Sequence, residues 1–325
     1  MNTRLTRVLK AVEESLHSNR PDSGRIAFGN GRFAIRVAGD LESRKKAARL
    51  VYQLYREKGY ARHDPSGMWL SIFDAVPETT TLLVERISDG AAVGALTVVF
   101  DSSLGLPADA IYSSELDGLR ARGRRLCEFM SLGVAGDNGD GSAVLVELFS
   151  GASILARELR DATDIVITVN PRHAGFYVRT LLLEKRGGER DYGKVGGAPA
   201  VLLRLDFDVQ RESLRREHRP RPEGAPPSRV LYRFFHPMSE ENEIRDVLRR
   251  DIRPLRAEEF IQLFLEETDV WAKAEPGQRA HLRDRYAGWR RAVEGRSRGF
   301  REALAPAKPV EDGAFPPVLG VGVSA

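Results

Sequence analysis

Between Leu126 and Tyr177 lie, in order, a strand-like apolar run with one carboxylate inside it (LCEFMSLGV, with Glu128), a glycine loop (GDNGDG, Gly136 to Gly141), a long apolar helix face, a second apolar run ending at Asn170 (DIVITVN) and the helix start PRHAGFY. A glycine loop that opens a helix turns free backbone N–H groups toward an anion. Two strands that diverge next to it leave a slot for an extended arm. An amide N–H at the end of the Glu128-to-Gly133 strand can then hold a thioester oxygen as it gains charge. Glu128 flanks that slot, where a carboxylate can take a proton, directly or through water, from an attacking ammonium. The arrangement suits a pantetheine thioester. The same residues also have plainer uses: DNGDG serves as a turn and N-cap, and Glu128 as an ion-pair partner for Arg124 or Arg120.

Other chemistries are missing from the sequence. It has no G-x-S-x-G elbow, no Walker loop, no H-E-x-x-H and no G-x-G-x-x-G after a first strand. The six histidines are scattered, with none three to five residues from another, so no helical metal pair is expected. Cys127 is the one cysteine, which excludes an internal disulfide and a cysteine zinc site and points to a reducing compartment. Hydrolase, kinase, metalloprotease and dinucleotide-enzyme readings fall away.

The elements that must position these residues follow from patterning. With 325 residues, 42% of them hydrophobic, the chain has the prior of about two domains, or one domain and an appendage. Leu5, Val8, Leu9, Val12 and Leu16 predict an amphipathic helix over residues 3–17. Phe33 to Gly39 reads as a strand, Asp40 as an N-cap, and the following helix stops at Gly59. Thr79 to Asp101 reads as a hairpin turning at Ser88-Asp89-Gly90. Arg124 to Ala135 is the next strand, followed by a helix from Val144, a strand at Asp164–Asn170, a helix with Pro171 in its first turn and a strand at Ala198–Phe207. The predicted order is β-α-β-β-β-α-β-α-β. The division expected is an N-terminal helix over 1–20, a catalytic domain over 30–208, a Pro- and Arg-rich linker over 209–229, a helical extension over 230–304 and a disordered Pro/Gly-rich tail over 305–325.

The net charge is +4, carried by 42 Arg and 8 Lys against 46 acidic residues, with no basic arm for nucleic acid. No apolar run is long enough to span a membrane and the N-terminus lacks a signal core, so a cytoplasmic protein is expected, with contact to a membrane surface left open.

Three stretches carry a family resemblance: SIFDAVPETTTLLVE (71–85), Gly94 to Val134, and VNPRHAGFYVRTLLLEKRGGERDYGKVGGAPAVLLRLD (169–206). From about Phe33 to Phe207 the chain resembles the GCN5-related N-acetyltransferase superfamily, more closely the N-acyl amino acid synthases related to acyl-homoserine-lactone autoinducer synthases. The resemblance implies an α/β fold with a mixed, mostly antiparallel sheet flanked by helices, followed here by a C-terminal helical extension. It implies transfer of a long-chain fatty acyl group from acyl-carrier protein to the amine of an amino acid, with acyl-phosphopantetheine as substrate and no resident cofactor or metal. Asn170, seven residues before Tyr177, would bond the pantetheine arm, and Tyr177 would protonate the departing thiolate. Leu132, Gly133, Val134, Gly139 and Gly141 would hold the donor, with Arg172 and His173 lining the arm or the acyl tunnel. Asp74, and Glu115 together with Arg120, are the candidates for gripping the acceptor.

The departures from the family pattern are informative. Asp137 and Asp140 place negative charge in the loop, which repels a pyrophosphate and favours a carrier-protein donor over coenzyme A. Arg122, Arg125, Arg157, Arg160 or Arg179 would dock such a carrier. Val51, four residues before Tyr55, and Pro77 stand where autoinducer synthases carry Arg and an acidic residue, which counts against homoserine as acceptor. A coenzyme-A-dependent acetyltransferase, an acyl-homoserine-lactone synthase and a non-catalytic acyl-carrier or lipid-binding module remain the alternatives.

Overall fold

The computed structural model describes residues 25–136, 140–192, 198–220 and 228–286, and the backbone of 20–22. The expected helix over 3–17, Gly139, Asp137, the chain from 287 to 304 and the tail over 305–325 lie outside the described residues.

Strands β1 (Arg20–Asp22), β2 (Arg25–Phe28) and β3 (Phe33–Val37) lead into helix α1 (Leu41–Glu57). Asp40 caps α1 as expected: its carboxylate accepts from the Ser43 N–H at 2.9 Å and Ser43 Oγ accepts from the Asp40 N–H. Gly59, at φ +73°, ends it. The hairpin of β4 (Thr80–Arg86) and β5 (Ala92–Phe100) turns where the sequence predicts, with Gly90 at φ +66°. Helix α2 (Asp109–Arg120), which the sequence reading passed over, precedes β6 (Leu126–Val134). Then come α3 (Asp140–Ile154), extended by a π-helical turn over Leu155–Leu159, β7 (Asp164–Val169) and α4 (Pro171–Thr180). The short strands β8 (Glu184–Lys185) and β9 (Arg190–Tyr192) flank β10 (Ala198–Asp206).

The expected linker from 209 begins instead as helix. Helix α5 (Phe207–Glu217) is capped by Asp206 and buries Phe207, Gln210, Ser213 and Leu214. The spacing of those residues is helical, but the prolines and arginines that follow obscured it. Helices α6 (Glu241–Arg250), α7 (Ala257–Ile261, continuing as a π-helical turn to Glu266), α8 (Val270–Lys273) and α9 (Pro276–Arg285) complete the described chain.

The strands form one sheet in the order β1-β2-β3-β4-β5-β6-β7-β10-β8, with β9 also on β10. Every pairing is antiparallel except β6–β7, the pair that needs the α3 crossover. Helices α3 to α6 cover one face, packed on Phe129, Leu132, Ile165 and Ile167. Helices α1, α2 and α7 to α9 cover the other, packed on Leu83, Ala95, Leu126, Met130 and Val166. The C-terminal segment therefore wraps both faces. Where it passes α1 it comes so close that a Cβ at Gly39 would collide with the Asp251 carbonyl.

Two irregularities split the sheet. The parallel pair β6–β7 is joined only from Leu126↔Asp164 to Glu128↔Val166. Beyond it β6 stays on β5 as far as Val134 and β7 stays on β10 as far as Val169, so the two halves part. In β6 two residues lie between Met130 and Gly133 while only one lies between their partners Thr97 and Ala95. The extra residue is a bulge, and Ser131 within it takes a left-handed φ of +51°.

Candidate functional site

Leu132, Gly133 and Val134 form the β6 side of the opening between β6 and β7, beyond the last β7 pairing. A Cβ at Gly133 would press on Leu54 and Val51, so glycine lets α1 seat against this strand. Tyr55 of α1 donates a hydrogen bond to the Leu132 carbonyl at 3.3 Å. Tyr177, on α4 across the sheet, is fully buried against Phe149 and Phe176, and its hydroxyl has no hydrogen-bond partner among the described residues. Burial, and then the nearby Tyr55 phenol, push its ionisation well above the ordinary tyrosine range, so it stays a proton donor. Two tyrosines on opposite faces sense each other beside the gap between the strands.

Asn170 ends β7 and caps α4, its side-chain oxygen accepting from the Arg172 N–H at 3.1 Å. Arg172 is exposed, reaches His173 at 3.1 Å and lies over the Tyr60 ring, linking α4 to the end of α1 at the mouth. Gly136, at φ +131°, and Gly141 approach each other at the start of α3. The Asp140 carboxylate is held by Arg32 through two hydrogen bonds of 2.8 and 3.1 Å. That pairing offsets the charge of Asp140, which weakens its share of the argument against coenzyme A.

Glu128 does not share a mouth with Tyr177. In β6, Cys127 and Phe129 face α3 whereas Leu126 and Met130 face α2, and strand alternation puts Glu128 with the latter pair. The Glu128 carboxylate is inaccessible, accepting from the Ala108 N–H at 2.8 Å and contacting the Thr168 hydroxyl at 3.5 Å. Burial lifts its pKa to about 8. Neither arginine expected to pair with it does so: Arg124 pairs with Asp164 and Asp206, and Arg120 with Asp101, Asp109 and Asp117.

The acceptor trio does not assemble. Glu115 pairs with Arg190, and Arg120 is saturated by three aspartates, so neither forms a pair with the other. Both sit on α2, where residues five apart point in different directions. Asp74 alone lines a pocket. Its carboxylate accepts from the Ser71 N–H and hydroxyl at 2.7 and 2.8 Å, and burial raises its pKa to about 6. Of the arginines expected to dock a carrier, Arg157 is buried against Glu158 and Glu241.

That pocket, about 380 Å³ with its open mouth included, lies on the Glu128 face between α1, the sheet and the C-terminal segment. Its wall holds, with Asp74, residues the sequence reading missed: Arg44, Trp69, Ser131, Leu263 and Phe264. Arg44 Nε and Trp69 Nε1 are buried donors with no partner among the described residues. A cavity of mixed lining that holds a carboxylate, a guanidinium with an unsatisfied Nε and an unsatisfied indole N–H offers both charges a small zwitterion needs.

Residues 46–206 match the family model described as N-acyl amino acid synthase FeeM. Among solved structures the chain is similar to FeeM, an N-acyl amino acid synthase from uncultured soil microbes, at 26% identity over 56% of this chain and 95% of that one, with a TM-score of 0.48. The AHL synthase LasI is similar at 18% identity over 54% and 90% of the two chains, TM-score 0.39. An acyl-CoA N-acyltransferase from Pseudomonas aeruginosa follows at 14% identity over 53% and 97%, TM-score 0.37. No curated protein matches the chain. Among the described residues no helix is long and apolar enough to cross a membrane.

Proposed function

We propose, from the match of residues 46–206 to the family model of N-acyl amino acid synthases, that this N-acyltransferase moves a long-chain fatty acyl group from the phosphopantetheine arm of acyl-carrier protein to the α-amine of an amino acid. The observation that carries the reading is the parting of β6 from β7 beside the unpartnered Tyr177 hydroxyl. An acyl thioester laid in that gap meets free backbone N–H groups of β6, which stabilise the oxyanion of the tetrahedral intermediate. The amino acid occupies the Asp74 pocket and attacks from the Glu128 face. Its nitrogen forms the C–N bond and the C–S bond breaks. The ammonium loses one proton to Glu128 through water before attack, Tyr177 gives its proton to the leaving thiolate on the other face, and the second proton shed by the adduct nitrogen passes through solvent and restores the Tyr177 phenol, so that one proton is released per amide formed. Separation of acid and base by the sheet suits this displacement, because nucleophile and leaving group occupy opposite sides of the opening. Asn170, Arg172 and His173 flank the arm.

Purified protein is incubated with acyl-carrier-protein and acyl-coenzyme-A thioesters of several chain lengths and with pooled amino acids. Amide products are then read by mass spectrometry and thiol release by colour. The expected result is an N-acyl amino acid formed faster from the carrier-bound donor, with a rate that climbs through about pH 8 in the parent and loses that limb in Glu128→Gln. Folded protein that yields no amide from either donor contradicts the reading. Coenzyme A is the second reading, favoured by the neutralisation of Asp140 by Arg32. A preference for that donor decides for it.

A further inference from the structure

The pocket that would take the amino acid is closed by a part of the chain outside the family-matched residues 46–206. Leu263 and Phe264, from the π-helical turn after α7, line it together with Asp74. The segment is fastened there by specific ties. Lys45 Nζ donates to Glu267 at 2.6 Å, the Tyr286 hydroxyl donates to the Ala75 carbonyl at 2.6 Å, and Arg44 Nη2 donates to the Arg253 carbonyl at 3.1 Å. The last tie holds one end of the Arg44 guanidinium and leaves its buried Nε without a partner.

We propose that the C-terminal segment is the specificity wall of the acceptor pocket: it steadies Arg44 to receive the acceptor's carboxylate and presses Leu263 and Phe264 against the acceptor's side chain. This rests on the acceptor-pocket reading above. An α-amino acid brings an ammonium, a carboxylate and a side chain. Asp74 matches the first by charge and Arg44 the second by charge and by its unsatisfied donor. The two apolar residues leave the side chain no polar partner on that wall, so acceptors are selected by apolar size. Because an apolar pocket discriminates by volume, small changes in it move selectivity by an order of magnitude.

The test compares Phe264→Ala and Leu263→Ala with the parent full-length chain, together with the milder Phe264→Leu and Leu263→Met. Folding is checked by circular dichroism, acceptor binding by calorimetry without donor, and turnover by kcat/KM for leucine against alanine. The expected result is a shift of about tenfold in the leucine-to-alanine ratio for Phe264→Ala, partly restored in Phe264→Leu, with donor KM unchanged. A decarboxylated amine of the same side chain should bind at least tenfold more weakly than its amino acid. An unchanged ratio in folded variants overturns the proposal. Should the alanine variants not fold, an unchanged ratio in both milder variants overturns it equally. Absence of turnover and binding with every acceptor in the parent is a different result, which defeats the acyltransfer reading itself.

Discussion

A buried hydroxyl left without a partner costs about 1–3 kcal/mol, and Tyr177 carries that burden in the middle of an aromatic cluster. Tyr177→Phe removes the orphan group, so denaturant unfolding should show it more stable by about 1 kcal/mol while kcat falls about a hundredfold. A variant that keeps full turnover would remove Tyr177 from the chemistry. This residue was legible beforehand, since Asn170 and Tyr177 keep a spacing shared with a known family. Arg44 was not. Arg44, Lys45 and Lys46 are consecutive cations on a helix, where successive residues turn by about 100°. They reach the pocket, Glu267 and Glu85 respectively, and only the fold tells the three apart. Asp74 and Glu115 looked alike in sequence for the same reason: what distinguishes a pocket carboxylate from an ion-pair carboxylate is the group opposite it.

At the scale of elements, the site depends on a strand that bends. Ser131 adopts φ +51°, a conformation that disfavours residues with a Cβ by about 1–2 kcal/mol. Ser131→Gly should therefore raise unfolding stability by up to about 1 kcal/mol, and Ser131→Val should lower it by at least as much, both read in urea titrations. Equal stability of the two would mean that the bulge does not hold β6 in this shape. The capped helix α1, the β4–β5 hairpin and α4 were readable because their signals are local: Asp40 at an N-cap, Gly90 in a turn, Pro171 at a helix start. Helix α2 escaped although Tyr112, Leu116 and Leu119 share a face, since Gly118 and a short length dilute its pattern. The bulge left no local mark, because a serine in a continuous apolar run gives no warning of a left-handed backbone.

Across the whole molecule, the C-terminal segment is locked to α3 by a buried pair. His236 Nε2 meets Glu147 Oε1 at 2.8 Å, and the His236 N–H donates to the Ser150 hydroxyl. Burial opposes protonation of this imidazole, but the Glu147 carboxylate outweighs it and lifts the pKa to about 10. A raised pKa stabilises the fold fully below the unfolded value near 6.5, and the contribution fades as pH climbs from there through about 10. Urea unfolding should accordingly lose stability between pH 6.5 and 10, and His236→Gln should flatten that slope; an unchanged slope would exclude the pair as its source. His236→Ala, which leaves Glu147 buried alone, should cost about 3 kcal/mol or more. The sequence by itself determined helix α1, the β4–β5 hairpin, strands β6, β7 and β10 and helix α4, together with a resemblance to N-acyl amino acid synthases that the match over residues 46–206 supports, because periodicity, caps and turn residues act between near neighbours. Only the tertiary structure decided where β6 leaves β7, that Glu128 and Tyr177 lie on opposite faces of the sheet, and that a segment about two hundred residues from α1 walls its pocket. Those outcomes depend on which side chains meet across the fold, and such meetings are set by packing among distant residues.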